Sequence, residues 1–422
     1  MSTTSESYSS YLLLCIGHPL LDIQVRNGSE RLLEKYKLKE DDAILAGDEQ
    51  KGIYDEITRD YEATYVAGGA AQNTARGAAY ILPPKTVAFT GCVGEDEAAE
   101  KLREADRREG VLELCQVKKG GKTGACAVMV SGSNRSLVTT LRSAKELEDS
   151  HLYTPKLASV IENIKVLYIT CFNLTHNPDI VINLAERAYR QGKLVVLNFS
   201  APYILRLHNS AIQRISPYCG IIIANEAEAL TWAEVKGIPL SNTDSPVDSD
   251  GLSEENRPRS ASSPHPSIPE IARAIALSPK FSESTSSSQD DPALTSSSTS
   301  RIVLITSGSH STTLVHSLYP DRPRTYPVPP LKPHELVDTN AAGDAFAGGF
   351  LAAYIRRRFL QGQNIVGKDT RDHANTEKRP NESEDLTWVD ECVKMGHWLA
   401  GMCCGQVGGQ YRWPKVDIPD KL

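Results

Sequence analysis

The chain has 422 residues, with 46 basic against 53 acidic side chains and a net charge of −7. Its 40% apolar and 23% charged shares are ordinary for a globular chain. The acidic balance excludes a nucleic-acid binder working through clustered Lys and Arg. No apolar run approaches the ~20 residues that span a bilayer. Tyr11–Ile16, after a start without basic residues, is too short for a signal peptide. Nine cysteines, without CxxC or a Cys/His metal spacing, fit a reducing compartment. The expectation is a cytoplasmic chain, with the nucleus open, and neither membrane nor nucleic acid as partner.

In chain order, the candidate strands are Leu12–Ile16, Thr86–Thr90, Val166–Thr170, Leu194–Asn198, Gly220–Ala224 and Ile302–Thr306. Most are continuous apolar runs, as in parallel strands covered on both faces. Helical patterns such as Asp179–Gln191 lie between them. The expected fold is therefore α/β, a doubly wound and mainly parallel sheet with helices on both faces. Leu20–Arg26 and Gly110–Arg142 alternate more like half-buried strands, which predicts a small separate sheet. Ser241–Ser300 is rich in Ser and Pro with Phe281 its only aromatic residue, and should be disordered apart from a short helix over Ile268–Leu277. Gln361–Asp385 is a second polar insertion. Without these two stretches the chain suits one large domain.

Four segments could carry chemistry. Gly120-Gly121-Lys122-Thr123 looks like the end of a P-loop, but Gln116 stands where the pattern needs Gly, and a β-like run follows instead of a helix. It is a decoy. Val337–Asp344 precedes a helical stretch, Ala345–Phe359. A small-residue turn there would point unpaired N–H groups and the positive dipole end outward, a geometry that binds phosphate. The bland alternative makes Asp344 a first-turn acid that favours the dipole. Ala67–Ala79, with Gly68-Gly69 and Asn73, opens another helix before Pro83-Pro84. Its small residues allow close approach to the backbone, or simply close helix–sheet packing. Asn225 and Glu228, three apart after a strand, could hold a hydrated Mg²⁺ or form a capping box.

The order of these segments is more specific than any one of them. They are Gly17-His18-Pro19-Leu20-Leu21-Asp22-Ile23, Ala67–Asn73, Gly91-Cys92-Val93-Gly94, Asn134-Arg135-Ser136-Leu137, Asn198–Tyr203, Asn225–Glu228 and Asp338–Asp344. Together they resemble the ribokinase-like (PfkB) sugar and nucleoside kinases over nearly the whole chain outside the insertions. Within that family the chain looks like the members that phosphorylate the 5′-hydroxyl of adenosine. The resemblance implies adenosine and ATP as substrates, Mg²⁺, a monomer, and a β-rich lid from about 18–30 and 110–142.

It also implies roles. Asp22 would hold the two ribose hydroxyls, with Gly68, Gly69 and Asn73 closing on the sugar, and His18, Asn173 and Tyr203 beside the nucleoside. Arg135 would approach on lid closure. Asp344 would accept the hydroxyl proton, and the backbone of Ala341, Ala342 and Gly343 would form the anion hole. Asn225, Thr306, Gly308, Asn340 and His397 would contact ATP, with Asn225 and Glu228 at the metal. The chain departs from the family where His18 replaces Asn, Asn173 replaces a stacking aromatic residue, and Ala341 replaces Gly. Ala341 is costly only at positive φ. A related kinase for another nucleoside or sugar, or a weak ligand-binding relative, stays open at this point.

Overall fold

The computed structural model describes residues 10–26, 29–39, 43–131, 134–238, 267–281, 300–360 and 387–419. Most of the insertions expected over 241–300 and 361–385 therefore lie outside the described residues.

Sixteen strands are described: β1 Leu13–Ile16, β2 Leu20–Val25, β3 Ala43–Leu45, β4 Thr64–Gly68, β5 Val87–Thr90, β6 Cys92–Gly94, β7 Leu112–Glu113 and β8 Gln116–Lys118, then β9 Gly124–Ser131, β10 Asn134–Thr140, β11 Val166–Thr170, β12 Leu194–Asn198, β13 Ile221–Asn225, β14 Ile302–Ser307, β15 Ser311–His316 and β16 Arg324–Pro327. Nine form the central sheet in the order β16-β15-β14-β13-β12-β11-β1-β5-β7. The run from β14 to β7 is parallel, and β15 and β16 add antiparallel at one edge. All six expected central strands are present. Alternate residues feed two cores: Leu14, Ile16, Leu167 and Ile169 face one, and Leu13, Cys15, Val166 and Tyr168 the other. Helices on both faces bury the strands completely, which is why their text is continuously apolar.

The small sheet has five strands in the order β3-β10-β9-β2-β4. It corrects the expected lid. Of Gly110–Arg142 only β9 and β10 belong to it, because β7 pairs with β5 in the central sheet and β8 pairs with β6. Ala43–Leu45 and Thr64–Gly68 join instead. The helix that follows β4 starts only at Ala70, since Gly69 turns the chain at φ +93°. Gly120–Thr123 lies before β9, and its Thr123 Oγ1 and N–H donate to Asp96. It serves as a turn.

Within the Ser/Pro-rich region, the helix Ile268–Ala276 is capped by Ser267 with Glu270 and buries Ile271, Ala272 and Ile275 against the strand core. The reason lies one strand further on. Arg301 is fully buried, and its guanidinium donates to the carbonyls of Ser216, Cys219, Ile275, Ser278 and Pro279. A planar five-donor fork is suited to collecting several chain ends.

Arg301→Met should destabilise the fold by at least about 3 kcal/mol, because several buried carbonyls would each lose a partner at about 1–3 kcal/mol. Urea unfolding checks this. A loss below about 1 kcal/mol would show that the helix docks without Arg301.

Candidate active site

Two adjoining cavities open at the carboxyl ends of the parallel strands, the usual ligand position in such sheets. The larger, of about 450 Å³, is bounded by Asn198, Asn225, Glu228, Thr306 and the turn Thr339–Gly343. The smaller, of about 270 Å³, is bounded by His18, Asp22, Gly69, Asn73, Thr139 and Tyr203. Phe172, Leu137, Ser200, Asn340 and Asp344 border both. The small sheet supplies Leu137 and Thr139 from β10 and Asp22 from β2, so it roofs the smaller cavity.

The helix Ala342–Ile355 begins at this junction. Ala341 precedes it at φ 62° and ψ 9°, a left-handed conformation that costs an L-residue about 1–2 kcal/mol. The amides of the helix's first turn have no intrahelical acceptor, and a Cβ on Gly343 would meet nothing within 4 Å. The turn thus presents N–H groups and a positive dipole end to open space in the larger cavity.

Asp344, in that first turn, accepts a hydrogen bond from Asn73 Nδ2 at 3.0 Å. Part of its surface faces the cavity, but protein surrounds it, and burial pushes its carboxyl up to about 7 against the opposing effects of Asn73 and Arg76. Asp22 also rises to about 7, by burial first and then by Asp344 and Asp338, with Arg76 opposing. Asn340 Nδ2 reaches Asp22 Oδ2 at 3.5 Å. Gly68 and Gly69 are required here: a Cβ would come within 2.4 Å of Asp22 Oδ1 at Gly68 and of the His18 carbonyl oxygen at Gly69. His18 is pushed down to about 4 by burial and by His176, so its imidazole is neutral at pH 7.

Asn225 and Glu228 hold each other. The Asn225 N–H and Nδ2 each donate to one carboxylate oxygen of Glu228 at 2.9 Å, and the Glu228 N–H donates to Asn225 Oδ1 at 2.8 Å. This is a capping box, and both side chains border the larger cavity. Burial, with a contribution from Asp344, raises Glu228 to about 7 against the Asn225 N–H. Among the described residues no group of three or more His, Cys, Asp or Glu could enclose a metal ion.

Three expected positions fall elsewhere. Asn173 turns inward and donates from Nδ2 to the Ile16 carbonyl at 2.8 Å, while Phe172 takes the cavity wall. The 3₁₀ turn Cys171–Thr175 shifts the aromatic position by one residue. His397 is buried against Phe346 and Thr312 Oγ1 and does not border either cavity. Gly308, at φ 54°, makes the turn between β14 and β15, outside the residues that border the cavities. Arg135 lies on β10 opposite Val130, with its side chain outside the described part. Phe172 could take the aromatic role only if the local register shifted, as it does here, while Ser200 and Arg76 carried no signal in the sequence as site residues.

The pattern of the pfkB family carbohydrate kinases matches residues 31–249 and 280–416. The chain belongs to the pfkB family. An adenosine kinase of Schizophyllum commune is 43% identical over 97% of this chain and 99% of its own length. Adenosine kinase of Saccharomyces cerevisiae is 35% identical over 96% and 98%. A crystal structure of Anopheles gambiae adenosine kinase in complex with P1,P4-di(adenosine-5) tetraphosphate superposes with a TM-score of 0.73 at 30% identity, covering 93% of this chain and 95% of that one.

In this pfkB chain the aromatic wall has moved from position 173 to 172, and that can be tested. Phe172→Ala should raise the KM of the acceptor substrate about tenfold, for a lost ring contact of about 0.5–1.5 kcal/mol plus apolar area. Asn173→Ala should leave KM within about twofold yet destabilise the fold by about 1–3 kcal/mol, because the Ile16 carbonyl is left unpaired. The reverse pattern would return the aromatic role to position 173.

Proposed function

We propose that the chain transfers the γ-phosphate of ATP to the 5′-hydroxyl of adenosine, giving AMP and ADP. The observation that carries this reading is the meeting of two cavities at Asp344, one opening on a helix N-terminus and one holding a buried carboxylate, Asp22. Adenosine occupies the smaller cavity, its ribose hydroxyls on Asp22 and its base against Phe172 and Tyr203. The phosphates of ATP enter the larger cavity, where Thr306, Asn225 and the turn Thr339–Gly343 face them. The A. gambiae adenosine kinase structure holds one molecule with two adenosines joined by phosphates, and two cavities sharing a wall suit that chemistry.

Asp344 accepts the proton of the 5′-hydroxyl as its oxygen attacks, and the amides of the Ala342–Ile355 helix start stabilise charge on the transferring phosphate. His18 stays neutral, and ribose hydroxyls that donate to Asp22 favour its charged form. The Leu137 and Thr139 strand shields the junction, which keeps water from competing as acceptor. Mg²⁺ fits the site in hydrated form: Mg²⁺ keeps several waters and needs one or two carboxylates plus substrate phosphates, and Glu228 with Asn225 supplies such a partner beside the larger cavity. When bound, the ion would neutralise phosphate charge. Nine free thiols and the lack of a membrane-crossing helix among the described residues accord with a cytoplasmic or nuclear setting.

Asp344→Asn should lower kcat by about 10²–10⁴ while nucleoside binding stays within a few-fold, since the amide keeps the shape but cannot accept the proton. The raised carboxyl sets the direction of the pH dependence. Asp344 is the base only when ionised, so native kcat/KM should fall as pH drops through about 7. A variant with near-native kcat, or a native profile flat down to pH 5, would remove Asp344 from this role.

A further inference from the structure

Arg76 is the sharpest anomaly left over by the site. It lies in the middle of the helix Ala70–Ile81, in the text Gln-Asn-Thr-Ala-Arg-Gly, where a cation would ordinarily face solvent. Instead it is 1% exposed. Its Nε pairs with Glu109 at 2.8 Å, Nη1 donates to the Ala67 carbonyl at 2.7 Å, and Nη2 donates to the Gly409 carbonyl. Nη1 also reaches Asn73 Oδ1 at 3.4 Å. Asn73 in turn donates from Nδ2 to Asp344.

This chain has a direction set by chemistry. Arginine is a donor only, so whatever faces it must accept. The Asn73 oxygen therefore points to Arg76, and its nitrogen is left for Asp344. The flipped amide would set its nitrogen against the donor-only guanidinium and its oxygen against a carboxylate oxygen at 3.0 Å. The donated bond occupies Asp344 Oδ2 and leaves Oδ1 for the incoming hydroxyl. The same guanidinium carries the charge that opposes protonation of Asp22 and of Asp344.

We infer that Arg76 is a positioning residue for phosphoryl transfer: through Asn73 it orients the Asp344 carboxylate and sets a buried positive charge behind it. The inference rests on the reading of Asp344 given above. It adds a residue that touches neither substrate cavity. Glu109 then has the role of paying the desolvation of the arginine, not of acting on substrate.

The charged and titratable groups around Asp344 come from several elements. Asp22 is on β2, Arg76 on the helix Ala70–Ile81, Glu228 on the helix Glu226–Val235, and Asp338 on the turn before Asp344's own helix. Tyr168, Cys403 and Tyr411 also face it, and burial pushes each of them up, so they stay neutral near pH 7. Of these groups only Arg76 is positive. Glu109 and Asp106 flank Arg76 from the helix Glu97–Glu109, and burial raises Asp106 to about 8, which favours its neutral form near pH 7.

Two variants of the full chain separate the charge from the fork. Arg76→Lys keeps the charge but cannot hold Asn73, the Ala67 carbonyl and the Gly409 carbonyl together. It should lower kcat about tenfold or more with the KM for adenosine within about threefold, and leave the acid limb of kcat/KM within about 0.3 pH units. The double variant Arg76→Met with Glu109→Leu removes the buried pair together, which a fold often tolerates. It should move the acid limb upward by about one pH unit, because a nearby cation typically lowers a carboxyl by about 1–3 units. A folded double variant with an unmoved acid limb, or Arg76→Lys with native kcat, overturns the inference. Should the double variant not fold, the kcat and KM of Arg76→Lys decide alone. Asp344→Asn is measured alongside: if it keeps native kcat, the reading of Asp344 has failed, whereas an inactive Asp344→Asn with indifferent Arg76 variants sinks only the inference.

Discussion

A carboxylate that must take a proton from a hydroxyl has to sit beside an anionic phosphate, in a place from which water is excluded. Those demands conflict, because burial and a neighbouring anion both push the proton back onto the carboxylate. In the proposed reaction this conflict falls on Asp344, and the rest of the site follows from it. The helix start at Ala342 offers its dipole to the phosphate, Asn73 donates to one carboxylate oxygen, and Arg76 supplies positive charge from behind. The balance leaves Asp344 near 7, poised between its two forms, which is where a general base works best. Asp22, 5% exposed and raised for the same reason, would be relieved by two ribose hydroxyls that donate to it.

The fold brings these groups together from distant parts of the chain. Asn73 and Asp344 are 271 residues apart, and Asn340 and Asp22 are 318 apart. A doubly wound sheet achieves this because its parallel strands all end on one side, so each following turn opens on the same crevice. The five-stranded sheet lies over the smaller cavity and has its own apolar backing, from Leu32, Leu33, Ile53 and Ile57. It is a layer with a core of its own.

The central strands were legible because both of their faces are buried, which makes apolar runs. Ser311–His316 and Arg324–Pro327 were not: Ser, Thr and His interrupt the first, and the second is the sheet's edge, which tolerates Arg, Thr and Pro. Asn73 and Asp344 could be picked out because small-residue turns open their helices, and Asp22 through the family resemblance alone. Asn173 was misplaced for a local reason: a 3₁₀ turn rotates successive side chains differently from a strand end, and this decides whether 172 or 173 faces the cavity. His397 looked like a site histidine, but its partner Thr312 comes from a strand, Ser311–His316, that the text did not reveal. Arg76 was invisible because its burial depends on Glu109 and on the backbone of Gly409, both far away in sequence.

The central claim, transfer to the ribose 5′-hydroxyl of adenosine, is tested most directly by giving the purified chain ATP with adenosine, 2′-deoxyadenosine, inosine or free ribose, and identifying the products. The account predicts AMP from adenosine, a loss for 2′-deoxyadenosine of roughly ten- to hundred-fold in kcat/KM from one charged hydrogen bond to Asp22, and weaker transfer still to ribose, which lacks the base that Phe172 faces. Equal transfer to ribose and adenosine, or none to adenosine at all, would contradict it.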